Sequence, residues 1–236
     1  MKDLIMSLFF PKRCVGCGEF GKYICDNCFT HIHFLESAKC PECMRPCISG
    51  LTHKKCRTRN SLDGIFVAVE YTSVIKKAIH SFKYEPYIYN LSNTLVRLMF
   101  ESYIQNEVLQ KVIGASDNMW ITCVPLHPLR LNVRGYNQGE LLGRGIAQGL
   151  GMRANFVFMR RSRDTRPQFE LKKEEREKNI QGAFELKKRY RDKIKGKAIF
   201  IVDDVFTSGA TLRECGKILK EAGATQVFGL AFAMER

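Results

Sequence analysis

The chain predicts an α/β protein with a mainly parallel, doubly wound sheet, preceded by a small cysteine-rich module. Three observations support this fold class. Eight of the ten cysteines lie in the first 56 residues, strand-like and helix-like segments alternate after residue 61, and an apolar run at 199–202 ends in two adjacent aspartates. Alternation at this spacing favours parallel strands joined by helical crossovers. We expect a metal-binding module over residues 1–60 and an α/β domain over residues 61–236.

The cysteines of the module follow the spacing of metal-binding knuckles. Two C-x2-C pairs can surround one zinc ion tetrahedrally, and bound zinc would supply most of the folding free energy of so short a segment. A disulfide framework is the alternative. The first predicted zinc site is formed by Cys14, Cys17, Cys25 and Cys28. The second is formed by Cys40, Cys43, His53 and Cys56, with Cys47 as the rival ligand to His53.

The N-terminal residues help to predict the cellular compartment of the protein. An apolar run at 4–10 is too short to span a bilayer, and Pro11-Lys12-Arg13 follows it where a secretory cleavage site would need small residues. No later segment approaches transmembrane length. We therefore expect a cytoplasmic protein without a transmembrane segment, in which the cysteines are reduced and available to metal.

The domain that follows predicts strands and helices in alternation. Cys123 and Cys215 fall within apolar patterns, and we expect both to be buried structural thiols. The loop 126–130 contains His127, either a general acid/base or a structural residue. The predicted strands are 64–71, 120–125, 156–158, 199–202 and 226–233. The predicted helices are 73–83, 90–105, 137–150 and a helix that follows Thr207 and stops at Gly223.

The most informative segment is 199–211, IFIVDDVFTSGAT. Its apolar run predicts a strand buried on both faces, which places Asp203 and Asp204 at the carboxyl end, where open α/β sheets bind ligands. The small residues at 207–211 lead into a helix, whose N-terminus attracts phosphate, and Gly209 allows a close approach. Vicinal carboxylates suit ribose hydroxyls or hydrated Mg²⁺. The segment therefore predicts a ribose 5-phosphate ligand, with a solvated acidic turn before an ordinary capped helix as the alternative.

The net charge of +14 is concentrated in two segments. Residues 160–197 hold fifteen Lys and Arg against seven Asp and Glu, and residues 1–60 hold ten against five. Such focused charge indicates a polyanionic partner, nucleic acid first, or else a solvated basic face. Tyr84, Tyr87, Tyr89 and Phe169 could stack on bases of a single strand or cover the core. The candidate nucleic-acid-binding residues are Arg161, Arg163, Arg166, Lys172 and Lys173.

Several motifs together resemble one family. The acid-pair loop resembles the 5-phosphoribosyl 1-pyrophosphate (PRPP) motif of type I phosphoribosyltransferases. With the cysteine-rich module, that loop and four other motifs occur in the order typical of the ComF/ComFC competence family, over essentially the whole chain. The four motifs are Val124-Pro125-Leu126-His127, Arg134-Gly135-Tyr136-Asn137-Gln138, Thr165-Arg166-Pro167-Gln168 and Arg176…Asn179…Gly182-Ala183-Phe184.

The resemblance implies a zinc-binding module over 1–60, a type I phosphoribosyltransferase-like domain over 61–236, and a role in natural transformation. That role is the handling of incoming single-stranded DNA, with other DNA-uptake or recombination proteins as possible partners. Arg134 is expected to grip phosphate oxygens, and Mg²⁺ to accompany PRPP. The predicted PRPP-binding residues are Asp203, Asp204, Val205, Phe206, Thr207, Ser208, Gly209, Ala210, Thr211 and Arg134.

Two departures from the expected patterns affect the functional alternatives. His53 stands where ComF/ComFC proteins usually have a cysteine, and Thr207 stands where purine-salvage enzymes have an acidic residue. A threonine cannot act as a general base at neutral pH, so purine salvage is disfavoured. An active phosphoribosyltransferase acting on another base or amine stays open, as does a PRPP-sensing regulator of DNA affinity. No catalytic residue is assigned.

Overall fold

The computed structural model describes residues 11–115, 118–165 and 173–235. Its N-terminal part consists of two knuckles, each closed by one antiparallel bridge, Arg13 to Phe20 in the first and Lys39 to Pro46 in the second. The first knuckle ends in a single helical turn, α1 (Asp26–Phe29), and the second is completed by a 3-10 turn at Lys54–Cys56. Within the described residues, no helix is long and apolar enough to cross a membrane.

A five-stranded parallel sheet forms the centre of the molecule, in the order β1-β7-β6-β2-β3. Every residue of β6 from 198 to 202 is buried, as expected for a strand covered on both faces. A separate antiparallel ribbon is made by β4 and β5. The strands are β1 (Gly64–Glu70), β2 (Met119–Cys123), β3 (Arg153–Ala154), β4 (Met159–Arg161), β5 (Phe184–Leu186), β6 (Ala198–Phe206) and β7 (Gln226–Met234).

Helices cover both faces of the sheet, so the predicted doubly wound α/β class is confirmed. One face is packed by α2, α3, α4 and α6, and the other by α8, α9 and the β4–β5 ribbon. The helices are α2 (Ser73–Lys83), α3 (Leu91–Ile104), α4 (Glu107–Gly114), α5 (Pro128–Arg134), α6 (Gln138–Gly149), α7 (Lys173–Ile180), α8 (Arg191–Ile194) and α9 (Ala210–Glu221).

The cysteine-rich module packs along the exposed side of β1, the edge strand of the sheet. Phe34 bridges to Val69 and Leu51 to Gly64, both antiparallel, so the module covers backbone groups that an edge strand otherwise presents. Lys77 adds a hydrogen bond to the Gly16 carbonyl in the first knuckle, at 2.8 Å. The module is therefore held against the α/β domain by contacts at both of its ends.

Several local predictions differ from the structure. The strand predicted at 156–158 is wrong, because the Asn155 side chain accepts a hydrogen bond from the Val157 amide at 3.1 Å and turns the chain there. β6 continues through Phe206, pairing with β7 up to Met234, so the two aspartates lie inside the strand rather than after it. The loop predicted at 126–130 is wrong from Pro128 onward, because a proline at the first helical position and the His127 side chain start α5 there. Helix α4 is an additional helix between the predicted helix 90–105 and the predicted strand 120–125.

Candidate functional site: a ligand cavity and two metal centres

A cavity of about 650 Å³ lies at the carboxyl ends of β6 and β2. From β6 the chain crosses through α9 to β7 on one side, whereas from β2 it crosses through α6 to β3 on the other. A crevice opens where neighbouring crossovers diverge in this way, and open α/β sheets bind ligands there. The cavity is lined by Val124 to Leu126 after β2 and by Asp203 to Val205 of β6.

The loop between β6 and α9 has the geometry of an anion-binding turn. Gly209 adopts φ +76°, and a Cβ atom at this position would lie 2.8 Å from the Phe206 ring. This left-handed residue delays the start of α9 to Ala210. The Ser208 hydroxyl lies 3.4 Å from the Ala210 amide, while Thr207 and Thr211 line the cavity. The N-terminus of α9 and the side chains of Thr207 and Thr211 thus face the same space.

The two aspartates have different surroundings. Asp204 is almost fully buried and pairs with the Lys83 ammonium at 2.8 Å, and the Gln138 amide lies 3.4 Å from its second oxygen. Asp203 is less buried, and one of its oxygens accepts the Asp204 amide at 2.9 Å. Burial, and then the neighbouring Asp204 carboxylate, raise the pKa of Asp203 to about 7. Asp204 is therefore neutralised by a partner, whereas Asp203 can still accept hydrogen bonds from a ligand.

Lys83 is a site residue that the sequence analysis missed. It is the last residue of α2, more than 100 positions before the acid pair, and no motif marks it. Burial alone would lower the pKa of Lys83, but the attraction of Asp204 outweighs burial and raises it. The side chain is thus a permanent ammonium at the cavity wall, next to the carboxylates.

Two arginines line the cavity, Arg161 buried and Arg134 half-buried. Among the described residues, the Nε atoms of Arg134 and Arg161 have no hydrogen-bond partner. Arg161 also donates to the Thr165 hydroxyl, and the Arg134 guanidinium lies 5.8 Å from the centre of the Tyr84 ring. Burial lowers the pKa of both arginines, yet an arginine remains charged at neutral pH. Buried guanidinium donors without a partner suit a bound anion.

The structure separates the residues proposed from sequence to bind nucleic acid. Arg161 belongs to the cavity wall, and Arg163 donates to the carbonyl groups of Asn179 and Gln181 at 2.9 and 2.8 Å. Lys173 begins α7, and only its backbone is described. Arg166, Phe169 and Lys172 lie outside the described residues.

The aromatic candidates and His127 are also placed. Tyr84 lines the cavity, and Tyr89 is about half exposed with its ring edge-on to Tyr136. His127 caps α5, where its Nδ1 accepts the Leu129 amide at 3.4 Å, and it lines a second cavity of about 480 Å³ rather than the one that holds the acid pair. In this position the His127 side chain caps the helix, as its structural interpretation predicts.

The eight predicted metal ligands form two clusters. Within each cluster the four ligand atoms all lie within 4.8 Å of one another. Tetrahedral zinc would place two thiolates about 3.8 Å apart and a thiolate and an imidazole nitrogen about 3.6 Å apart. Cys17 and Cys25 sulfurs lie 3.6 Å apart, and His53 Nδ1 lies 3.3 Å from Cys43 and 3.9 Å from Cys56. Both clusters therefore fit a zinc ion. They are Cys14, Cys17, Cys25 and Cys28, and Cys40, Cys43, His53 and Cys56.

The hydrogen bonding of His53 suits it to the second cluster. Its Nε2–H donates to the Pro46 carbonyl at 2.9 Å, which leaves the Nδ1 lone pair directed at the thiols. Cys47, the rival ligand, belongs to neither cluster within the described part of the chain. Cys123 and Cys215 are buried in the core, as predicted.

Comparison with known proteins agrees with this architecture. A double zinc ribbon domain matches residues 5–57 and a phosphoribosyl transferase domain matches residues 137–236. The chain is 26% identical to competence protein F of Haemophilus influenzae, with 91% of this chain and 99% of the relative covered. It is 28% identical to DNA utilization protein YhgH of Salmonella typhimurium (86% and 87% covered) and 26% identical to competence protein ComFC of Streptococcus pneumoniae (86% and 84%). The chain thus combines a double zinc ribbon with a phosphoribosyl transferase domain, and its predicted resemblance to the ComF/ComFC competence family is confirmed.

Proposed function

We propose that this protein binds PRPP in the cavity at the end of β6 and handles single-stranded DNA during natural transformation. The observation that carries the ligand assignment is one shared cavity wall. It brings together an anion-binding turn, a carboxylate with free acceptor capacity and two arginines whose buried Nε atoms have no partner among the described residues. A sugar bearing phosphate groups at both ends matches these three features.

PRPP would lie along the cavity wall with its 5-phosphate at the start of α9 and its pyrophosphate at the two arginines. The amides and hydroxyls of 207–211 would hold the 5-phosphate at the start of α9, and Asp203 would accept the ribose hydroxyls. Arg134 and Arg161 would meet the pyrophosphate, together with Mg²⁺ carried by its oxygens. Lys83 would keep Asp204 from repelling that end of the ligand. The proposed PRPP contacts are Arg161 and the residues predicted from sequence: Asp203, Asp204, Val205, Phe206, Thr207, Ser208, Gly209, Ala210, Thr211 and Arg134.

We further propose two zinc ions, one in each cysteine cluster. A structural zinc site needs four thiolate or imidazole ligands at tetrahedral spacing, and both clusters provide them. In the second cluster, the hydrogen bond from His53 Nε2 to the Pro46 carbonyl also fixes the histidine tautomer that can bind zinc. Zinc needs thiolates, and reduced cysteines support a cytoplasmic location.

The role with DNA rests on the relatives and on charge. Proteins similar over most of this chain bear the names competence protein and DNA utilization protein. Residues 160–197 carry fifteen basic against seven acidic side chains, which suits the phosphate backbone of single-stranded DNA. Arg163, Arg166, Lys172 and Lys173 remain the proposed contacts, and other DNA-uptake or recombination proteins the proposed partners.

A second candidate function, a phosphoribosyltransferase that transfers ribose phosphate to a base or amine, is favoured by one observation. The second cavity, of about 480 Å³, shares Pro125, Leu126, Asn137 and Arg161 with the first, and its lining includes the apolar side chains of Phe156 and Met159. An acceptor could be held there, beside the proposed pyrophosphate end of the ligand.

The ligand assignment can be tested by isothermal titration of PRPP and Mg²⁺ into the full chain. Arg134→Ala should weaken binding about 10- to 100-fold, since a hydrogen bond to a charged group contributes about 1.5–3 kcal/mol. Arg97→Ala, an exposed arginine on α3, is the matched control and should bind as the wild type does. Equal affinity of Arg134→Ala and the wild type would contradict the proposal.

Incubation with PRPP, Mg²⁺ and a panel of bases, amines and nucleic acids separates the two functions. Retention of PRPP without pyrophosphate release supports a binding protein, and release with one acceptor supports the transferase. Affinity for single-stranded DNA should fall steeply between low and moderate salt, whereas a flat response would exclude binding through phosphates.

A further inference from the structure

One arginine outside the cavity contacts three segments at once: the loop 207–209 between β6 and α9 (the phosphate loop of the proposed site), the knuckle that holds Cys40 and Cys43, and α7. Arg213 lies in the first turn of α9. Its Nη1 donates to the Ser208 carbonyl at 2.8 Å and to the Pro41 carbonyl at 2.7 Å, and its Nη2 pairs with Glu177 of α7. Three segments far apart in the sequence therefore meet at one guanidinium.

The contact with Ser208 bears on the shape of the phosphate loop. A loop whose amides face an anion needs donors for its carbonyl groups from the opposite side. Nη1 carries two hydrogens, and both are used, one for Ser208 and one for Pro41. The Gly209 Cβ position would lie 2.9 Å from the same Nη1, so the guanidinium packs directly against the loop.

The contact with Pro41 bears on the second metal centre. Pro41 and Glu42 lie between the ligands Cys40 and Cys43, and the Glu42 carboxylate accepts the Leu62 amide at 3.0 Å. The backbone of such a knuckle is held in shape by its metal, because so short a segment has little apolar core. Loss of zinc would therefore release the Pro41 carbonyl from the guanidinium.

We propose that Arg213 is a positioning residue that couples zinc occupancy of the second cluster to sugar-phosphate binding at the loop. This inference rests on the proposed function. With zinc bound, the knuckle holds the guanidinium, and the guanidinium holds the Ser208 carbonyl. Without zinc, Arg213 loses one acceptor and the loop loses its fixed shape. Because such coupling is reciprocal, PRPP must also strengthen zinc retention in the second cluster.

The coupling is tested by titrating PRPP into four full-length proteins: wild type, His53→Ala, Arg213→Ala and the double variant. His53→Ala should hold one zinc ion instead of two and bind PRPP about tenfold more weakly, within the range usual for coupled sites. The double variant should bind no more weakly than Arg213→Ala alone, since the two changes interrupt the same path. Independent losses that multiply in the double variant would overturn the coupling.

A second measurement follows zinc release and requires no substitution of a zinc ligand or of a proposed PRPP contact. Zinc release to a chromogenic chelator should be slowed by PRPP for one of the two ions, and Arg213→Ala should abolish this protection while Arg97→Ala keeps it. Release that is indifferent to PRPP in a wild type that binds PRPP would overturn the inference alone. A wild type that binds no PRPP would instead overturn the proposed function.

Discussion

Replacing Lys83 by Met removes the ammonium from the acid pair but keeps an apolar stem of similar length. The Lys83 Nζ lies 2.8 Å from Asp204, whose side chain is 6% exposed, against 24% for the lysine. At that distance the attraction is about 6 kcal/mol for an effective dielectric constant near 20, before desolvation. Removing one partner of a buried pair costs about 3–5 kcal/mol. Because Lys83 is partly exposed and Gln138 still contacts Asp204, we expect a loss of about 2–3 kcal/mol.

The charge that is left behind gives the physical reason for the loss. Without the ammonium, the buried Asp204 carboxylate has no ionic partner, which is the costly state of a broken buried pair. Urea unfolding should therefore show the deficit directly. Adding Asp204→Asn to Lys83→Met should recover part of the loss, because the unpaired charge is gone.

The matched control is Lys111→Met, which removes an exposed lysine paired with Glu107 on α4 at 3.9 Å. Surface pairs contribute about 0–1 kcal/mol, so this variant should unfold almost as the wild type does. If Lys83→Met were no less stable than Lys111→Met, or if Asp204→Asn recovered none of its deficit, the assignment of a buried compensating pair would be refuted.

Three other predictions concern the same site and the metal module. Asp203→Asn should raise the free energy of unfolding by up to about 3 kcal/mol more at pH 8 than at pH 5. Burial and Asp204 raise the pKa of Asp203 to about 7, so the wild type loses stability as pH rises from the ordinary carboxyl range towards 7. Urea unfolding at both pH values measures the difference. Gly209→Ala should lower the free energy of unfolding by about 1–3 kcal/mol and weaken PRPP binding, because φ is +76° and the new Cβ would meet the Phe206 ring. A thermal melt measures the stability and a titration measures the affinity. Wild-type values in both would contradict the loop geometry. Chelation of zinc should raise hydrogen exchange in residues 11–57 while the sheet stays protected, and unchanged exchange would exclude a structural metal.

The parts of the site that are continuous in sequence were the parts that could be predicted. A buried strand, two acids and a small-residue loop before a helix occur within 199–211, so local geometry alone brings them together. The cysteine knuckles are predictable for the same reason, because their spacing fixes the distance between ligands. His53 was favoured over Cys47 on spacing, and its hydrogen bond to Pro46 gives the physical reason that the structure adds.

The rest of the site depends on tertiary packing. Lys83 reaches Asp204 only because α2 and β6 contribute to the same core cluster, and nothing near Lys83 in the sequence indicates a charged partner. Arg161 carries a charge that suggests an exposed nucleic-acid contact, yet the β4–β5 ribbon turns it into the cavity wall. The Asn155 turn overrode the strand propensity of Phe156 and Val157, because a side chain can replace a ladder hydrogen bond locally.

The measurement that tests the central claim most directly is a crystal structure of the full chain with PRPP or ribose 5-phosphate bound. The account predicts the 5-phosphate on the amides of residues 208–211 at the start of α9, with the ribose hydroxyls on Asp203. A ligand bound elsewhere, or a cavity at the end of β6 that excludes the sugar at saturating concentration, would contradict it.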